Sequence, residues 1–294
     1  MLDLHTEVLE SGLELYFIKS DSMQGLDPFR SESDFKTLGY ALRLNTLSMI
    51  KAAGSGHIGS SFSAIDLMLA CRTFLSDNPQ NVFFSSKGHD APGLYAVMNA
   101  HGEIPDSFLL KLRRMEGLPG HPEVGSFGIP TSTGSLGMGI SKGKGFWYSR
   151  KNLNSTVTVL LGDGELQEGQ IWESVMFAAH NNCDNLISTI DVNGQQIDGP
   201  TKKVMNLDSL RAKFEAFNWT VIDMDGNNME DVVATLDKAK SLTGQGKPIC
   251  ILMKTEMGKG ISFMEGTHEW HGIAPNDAQL ADALSQLPET LGDY

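Results

Sequence analysis

The chain has 294 residues, 40% of them hydrophobic and 20% charged, an ordinary globular composition with enough material for one large core or two modest ones. Its 23 Lys and Arg against 36 Asp and Glu leave a net charge of −13, which argues against a polyanion-binding surface and makes nucleic acid an unexpected partner. No apolar run approaches the roughly 20 residues of a membrane span, and no basic stretch with an apolar core and small-residue cleavage site opens the chain, so the expected compartment is the cytoplasm.

Residues 1–30 stand apart as an amino-terminal extension to a domain over 31–294. Leu2, Leu4, Val8, Leu9, Leu13, Leu15 and Phe17 are apolar at mixed spacing and precede the linker-like Ser20-Asp21-Ser22-Met23-Gln24-Gly25. This predicts a helix and a linker, either laid on its own domain or reaching for a partner. Next, Asp34 is placed to cap a helix carrying Phe35, Leu38, Leu42 and Ile50. Ser63 with Asp66 three residues later has the pattern of a capping box before Leu67-Met68-Leu69. Strand-like runs follow near 82–85, 156–161, 186–190, 219–223 and 248–253, with helical patterns near 166–181, 206–217 and 228–241. Such alternation predicts an α/β fold, an open parallel sheet with helices on both faces. Cys71, Cys183 and Cys250 are widely spaced and read as buried free thiols in a reducing compartment.

The most informative stretch is Gly162-Asp163-Gly164-Glu165, followed thirty positions after the aspartate by Asn193 within Asp191-Val192-Asn193-Gly194. Asp163 follows the apolar run 156–161 and Asn193 the run 186–190, so both emerge at carboxyl ends of buried strands, where open α/β sheets bind ligands. Two neighbouring parallel strands thereby bring a carboxylate and an amide carbonyl together. A hard cation such as Mg²⁺ takes such oxygens and completes its shell with phosphates.

These residues resemble the thiamine-diphosphate motif of transketolases: Gly162-Asp163-Gly164-Glu165-Leu166-Gln167-Glu168-Gly169, Trp172-Glu173, Phe177-Ala178-Ala179-His180, and Asp191-Val192-Asn193-Gly194-Gln195-Gln196-Ile197-Asp198-Gly199. Ser55-Gly56-His57, Ser86-Lys87-Gly88-His89, Gly120-His121-Pro122-Glu123, Ser132-Thr133-Gly134-Ser135-Leu136-Gly137 and Trp270-His271-Gly272 agree in order, so the resemblance covers roughly 34–280. It implies the diphosphate-binding (PP) domain of the thiamine-diphosphate fold, with Mg²⁺, or Ca²⁺ or Mn²⁺ in its place. Asp163, Asn193 and Gln195 would be the metal residues, and Gly162, Gly164 and Glu165 would lie at the cofactor. Gly134 would place a backbone carbonyl on the cofactor amino group, and Leu136 an apolar prop beneath its thiazolium. His57, His89, His121 and His271 would line the cofactor and donor-sugar pocket, with His89 and His271 on the diphosphate or substrate side and His57 and His121 as hydroxyl readers. Glu168, and with less reason Glu173, would face a partner subunit; the competing reading is a favourable interaction with a helix amino terminus.

A complete transketolase also carries a pyrimidine-binding domain, whose glutamate activates the cofactor ring, and a carboxy-terminal domain. Neither is matched by these residues. The resemblance therefore implies the amino-terminal subunit of a split enzyme, acting on sugar phosphates and paired with a carboxy-terminal chain bearing the pyrimidine domain, two copies of each. Two alternatives stand beside two-carbon ketol transfer: delivery to a carrier- or lipoyl-bound acceptor, and a non-catalytic cofactor-binding scaffold. One departure from the family is Lys142-Gly143-Lys144-Gly145-Phe146-Trp147-Tyr148-Ser149-Arg150-Lys151, where a buried helix of small and apolar residues is usual. Two glycines and two lysines disfavour such a helix, which predicts a shifted register or a remodelled segment.

Overall fold

The computed structural model describes residues 2–9, 12–27, 31–76, 78–151 and 153–291. In chain order these form strands β1 (Leu4–Val8) and β2 (Glu14–Ile18), helices α1 (Ser20–Met23), α2 (Glu32–Ala53) and α3 (Ile58–Ser76), strand β3 (Val82–Ser85), and helices α4 (Ala91–Ala100) and α5 (Gly139–Arg150). Then come β4 (Val157–Gly162), α6 (Gly169–His180), β5 (Leu186–Val192), the two-residue strands β6 (Gln195–Gln196) and β7 (Gly199–Pro200), and helices α7 (Thr201–Val204) and α8 (Leu210–Ala216). Strand β8 (Thr220–Asp225), helix α9 (Met229–Ser241), strand β9 (Ile249–Lys254) and helix α10 (Asp277–Leu291) complete the order. Two units divide the chain: Met1–Leu69 with His89–His121 and Glu256–Tyr294, and Ala70–Gly88 with Pro122–Thr255. No helix among the described residues is long and apolar enough to cross a membrane.

The second unit holds a five-stranded sheet in the order β3-β4-β5-β9-β8, every pair parallel. Its central strands are apolar or β-branched at nearly every position, because both faces are covered. On one face Val157, Val159, Leu161, Leu186 and Ile190 pack with Ile140 of α5, Ile171 and Val175 of α6 and Phe214 of α8. Fully burying such a side chain contributes about 1.5–3 kcal/mol. On the opposite face Thr158 and Ile187 line a small pocket together with Leu236 and Lys240 of α9. The expected sheet with helices on both faces is thus the one observed, and Cys71, Cys183 and Cys250 are buried free thiols.

The departure at 142–151 resolves into a continuous helix, α5, that is only partly covered. Of its residues Gly139, Ile140 and Gly143 are buried. The two buried glycines let the helix axis approach the sheet: a Cβ on Gly139 would stand 2.3 Å from Ser86 Oγ, and one on Gly143 2.9 Å from Leu186 Cδ1. The lysines lie at the rim, Lys144 with its ammonium 4.4 Å from the Phe177 ring centroid and Lys142 donating to the Ser132 carbonyl.

The first unit corrects three expectations. The extension contains no long helix among its described residues: β1 pairs antiparallel with β2, and the four-residue α1 follows. Period-two burial explains this, since Leu15 and Phe17 are buried while Glu14 is exposed and Tyr16 half-exposed, and Gly12 at φ +82° helps the chain turn between the strands. The hairpin is laid on its own unit, with the Asn45 side chain of α2 accepting from Ile18 N at 2.7 Å and donating to Ile18 O at 2.9 Å. The cap of α2 is Ser31, whose hydroxyl accepts from Asp34 N at 3.2 Å, and the Asp34 carboxylate accepts from Asp27 N instead. Ser63 and Asp66 lie inside α3 rather than at its start. Asp66 is buried and receives a two-pronged contact from Arg43 Nη1 and Nη2 at 3.0 and 2.9 Å, a tertiary partner that sequence spacing does not show.

Candidate active site

In the second unit, β4 ends at Gly162 and delivers Asp163, while the paired β5 delivers Asp191 and, two residues on, Asn193. The Asp163 carboxylate is buried and fixed by backbone donors, Oδ1 accepting from Gly164 N at 2.8 Å and Oδ2 from Gly194 N at 2.9 Å. Burial, then the neighbouring Asp191, push its pKa up to about 7 against those hydrogen bonds. A cation at this position favours the ionised form, and a divalent one would outweigh both effects. Asn193 Oδ1 accepts from Gln195 N at 3.0 Å and Nδ2 donates to Asp191 Oδ2 at 3.1 Å. Asp163 and Gly194 border a cavity of about 190 Å³ that is also lined by Lys202, Asn206 and Asp208. This donor set fits a hard cation clamping a diphosphate: a carboxylate and an amide oxygen from adjacent strand ends, with the remaining positions open to phosphate and water. Among the described residues no group of three or more His, Cys, Asp or Glu could hold a metal.

Glu165, expected at the cofactor, is buried and braces the surrounding loops. Its Oε1 accepts from Ser86 Oγ and, at 2.7 Å, from Gly137 N, and its Oε2 accepts from Gly162 N at 3.3 Å. Burial raises its pKa against those donors. It thereby ties the Gly134–Gly137 loop to the end of β4. Gly134 has φ +118°, a conformation closed to most side chains, and Leu136 is 38% exposed. The Leu136 carbonyl accepts from Gln170 Nε2 at 2.9 Å. Glu168 and Glu173 are both exposed, Glu168 at the start of α6.

In the first unit the four motif histidines come together. His57 precedes α3, His89 sits in the turn before α4, His121 ends the loop 112–121, and His271 closes the short turn His268–His271. Ring centroids lie 5.3 Å apart for His57 and His89, 5.5 Å for His57 and His271, 6.4 Å for His57 and His121, and 5.0 Å for His89 and His271. Burial, followed by charge repulsion from His271, Arg113 and His121, lowers the His57 pKa to about 4, so its imidazole is neutral at physiological pH. Its Nδ1 is buried with no hydrogen-bond partner among the described residues. Gly59 lets the start of α3 approach its neighbours, since a Cβ there would stand 2.7 Å from Met257 Cγ and 3.0 Å from the Trp270 carbonyl. Of the histidines given no catalytic role, His101 bonds its own helix through Val97 O at 2.9 Å, His5 packs edge-on against Phe17, and His180 is exposed.

Residues 36–290 match the family described as transketolase, thiamine diphosphate binding domain. The chain belongs to the transketolase family. It is 36% identical to the 6-deoxy-6-sulfo-D-fructose transketolase subunit SqwG of Clostridium sp. (strain MSTE9), over 86% of this chain and 96% of that one. It is 34% identical to an apulose-4-phosphate transketolase subunit of Phocaeicola vulgatus, over 85% of this chain and 92% of that one. Among solved structures, transketolase from Campylobacter jejuni superposes with a TM-score of 0.78 at 28% identity, covering 86% of this chain and 42% of that one. The chain is thus a transketolase-type transferase subunit whose domain binds thiamine diphosphate.

The sequence alone assigns no role to Lys87, Asp191 or Thr255 of this transketolase subunit, although Lys87 and Asp191 both lie in quoted motifs. Asp191 is fully buried and accepts from Lys87 Nζ and Thr255 Oγ1. The available signal was a charged residue in an otherwise buried strand, which demands a partner.

Proposed function

We propose that this transketolase subunit holds a Mg²⁺–thiamine diphosphate complex and, with a second chain, moves a two-carbon ketol unit from a ketose phosphate to an aldehyde acceptor. The reading is carried by one observation: Asp163 and Asn193 stand at adjacent strand ends, and Gly194, next to Asn193, donates its N–H to the Asp163 carboxylate. In this reading Asp163, Asn193 and Gln195 hold the cation, and Gly162 and Gly164 keep side chains away from the diphosphate. Ca²⁺ and Mn²⁺ share the preference for oxygen and are accepted as substitutes. Bound thiamine diphosphate supplies the electron sink that ketol transfer needs.

The rest of the work belongs to the chain. Gly134 allows close backbone approach, and Leu136 offers an apolar surface to the cofactor ring. His57, which is neutral, and His121 donate to substrate hydroxyls through their ring N–H groups, and His89 and His271 contact the diphosphate or the substrate oxygen beside it. Glu168, exposed at the start of α6, meets a carboxy-terminal chain whose pyrimidine domain provides the ring-activating glutamate, in an assembly with two copies of each chain. Two relatives named as subunits support the two-chain reading, and their names, a sulfo-sugar and a sugar phosphate, support an anionic ketose substrate. Buried free thiols at Cys71, Cys183 and Cys250 support a cytoplasmic setting.

The test is calorimetry of thiamine diphosphate binding with Mg²⁺ to the assembled enzyme. Asp163→Ala should abolish metal-dependent binding; unchanged affinity would remove the metal assignment.

A further inference from the structure

Asp191 joins three segments of the second unit. Its Oδ2 accepts from Lys87 Nζ, in the loop after β3, and from Asn193 Nδ2 at 3.1 Å, and its Oδ1 accepts from Thr255 Oγ1, just past β9. Its backbone carbonyl also accepts from Asp163 N at 3.2 Å. The side chains of Lys87 and Asp191 are 1% and 0% exposed. A buried ion pair is weak evidence for stability, because well-packed apolar side chains usually serve a core as well or better. Its placement is more informative, since the carboxylate that Lys87 neutralises is the one that touches the Asn193 amide.

An asparagine amide has two ends of similar size and opposite chemistry, and only the oxygen can bind a cation. A carboxylate only accepts, so Asp191 selects the NH₂ end of Asn193. The oxygen is thereby turned the other way, where it takes one hydrogen bond from Gln195 N and keeps a second lone pair. We propose that Lys87 and Thr255 are positioning residues of the metal site, holding Asp191 through its two oxygens so that Asn193 presents its carbonyl oxygen to the cation. This rests on the reading of Asp163 and Asn193 as metal ligands. Outer partners of metal ligands commonly contribute about 10- to 100-fold in affinity.

The experiment titrates Mn²⁺ into the assembled enzyme at saturating thiamine diphosphate, following free Mn²⁺ by electron paramagnetic resonance, alongside thermal unfolding. Thr255→Val keeps the shape and removes one donor to Asp191; it should weaken Mn²⁺ binding about tenfold, and Thr255→Ser should restore it. Lys87→Met should weaken binding further where it folds, and Thr255→Val carries the test if it does not. Asp163→Ala is the control. If Asp163→Ala abolishes Mn²⁺ binding while Thr255→Val leaves it within twofold of the parent, the positioning role is overturned and the metal site stands. A lower unfolding temperature for Thr255→Val with unchanged Mn²⁺ affinity also overturns it, as a structural role only. If Asp163→Ala itself leaves Mn²⁺ binding unchanged, the metal-site reading fails and takes this inference with it.

Discussion

His57 shows how position overrides an intrinsic residue property. Free histidine titrates near 6.5, but burial and the neighbouring His271, Arg113 and His121 depress His57 to about 4. Below pH 6.5 the unfolded chain takes up a proton that the folded chain refuses until near pH 4. His57 therefore contributes nothing to acid stability and makes folding less favourable as pH falls through that window. The expected imidazole titration midpoint by nuclear magnetic resonance is close to 4, and a midpoint above 6 would contradict the burial argument. Removing the His121 imidazole should lower turnover of the assembled enzyme on ketose donors by roughly ten- to a thousandfold with the fold intact. Full activity of His121→Ala on every donor would return that residue to a structural role. Asp163 and Asn193, the pair proposed to hold the cation, were legible because each directly follows a buried strand. Lys87 and Asp191 were not, because nothing local pairs residues 104 positions apart.

The elements divide in the same way. The strands at the centre of the sheet are written as apolar or β-branched runs and β8 as an alternating one, and the structure places all five within one or two residues of the expected spans. The amino-terminal hairpin was misread because two short strands, one exposed throughout and one docked on α2, superimpose into apolar spacing with no clear period. Helix α5 was doubted because glycine disfavours helices, yet two of its glycines are what bring it onto the sheet. This separates the glycines by experiment. Gly139→Ala places a methyl group against Ser86, whose hydroxyl also holds Glu165, and should destabilise by about 1–3 kcal/mol. Gly145 is exposed, and a methyl group added there would meet nothing within 4 Å, so Gly145→Ala should stabilise by about 0.5–1 kcal/mol. Urea midpoints rising for both variants would show that helix propensity, rather than sheet contact, dominates α5.

At the scale of the whole molecule, the fold class was legible in the alternation of strands and helices, while the division into two units was not. Each unit is assembled from separated stretches of chain, and no composition shift marks the crossings at residues 69, 88, 121 and 255. The histidines fall in one unit and the Asp163–Asn193 pair in the other, and within each unit the group is gathered from separated stretches of chain, which local patterns do not encode. What the chain still needs follows from its chemistry. In the proposed reading Asp163 and Asn193 anchor a diphosphate, and residues 36–290 match the thiamine diphosphate binding domain, so the ring-activating glutamate is expected from a second chain. Glu168 before α6 and Glu173 within it are exposed, as are Met176 at 49% and Phe177 at 47% on the same helix, apolar surface of the kind another subunit would cover. The purified chain with saturating thiamine diphosphate and Mg²⁺ should therefore show no ketol transfer and no accelerated exchange of the cofactor's C2 proton. Both should appear on mixing with a chain that carries the pyrimidine domain, with activity saturating at equimolar partner as a symmetric assembly requires. Rapid exchange or turnover by this polypeptide alone would mean that one of its own carboxylates performs the partner's task.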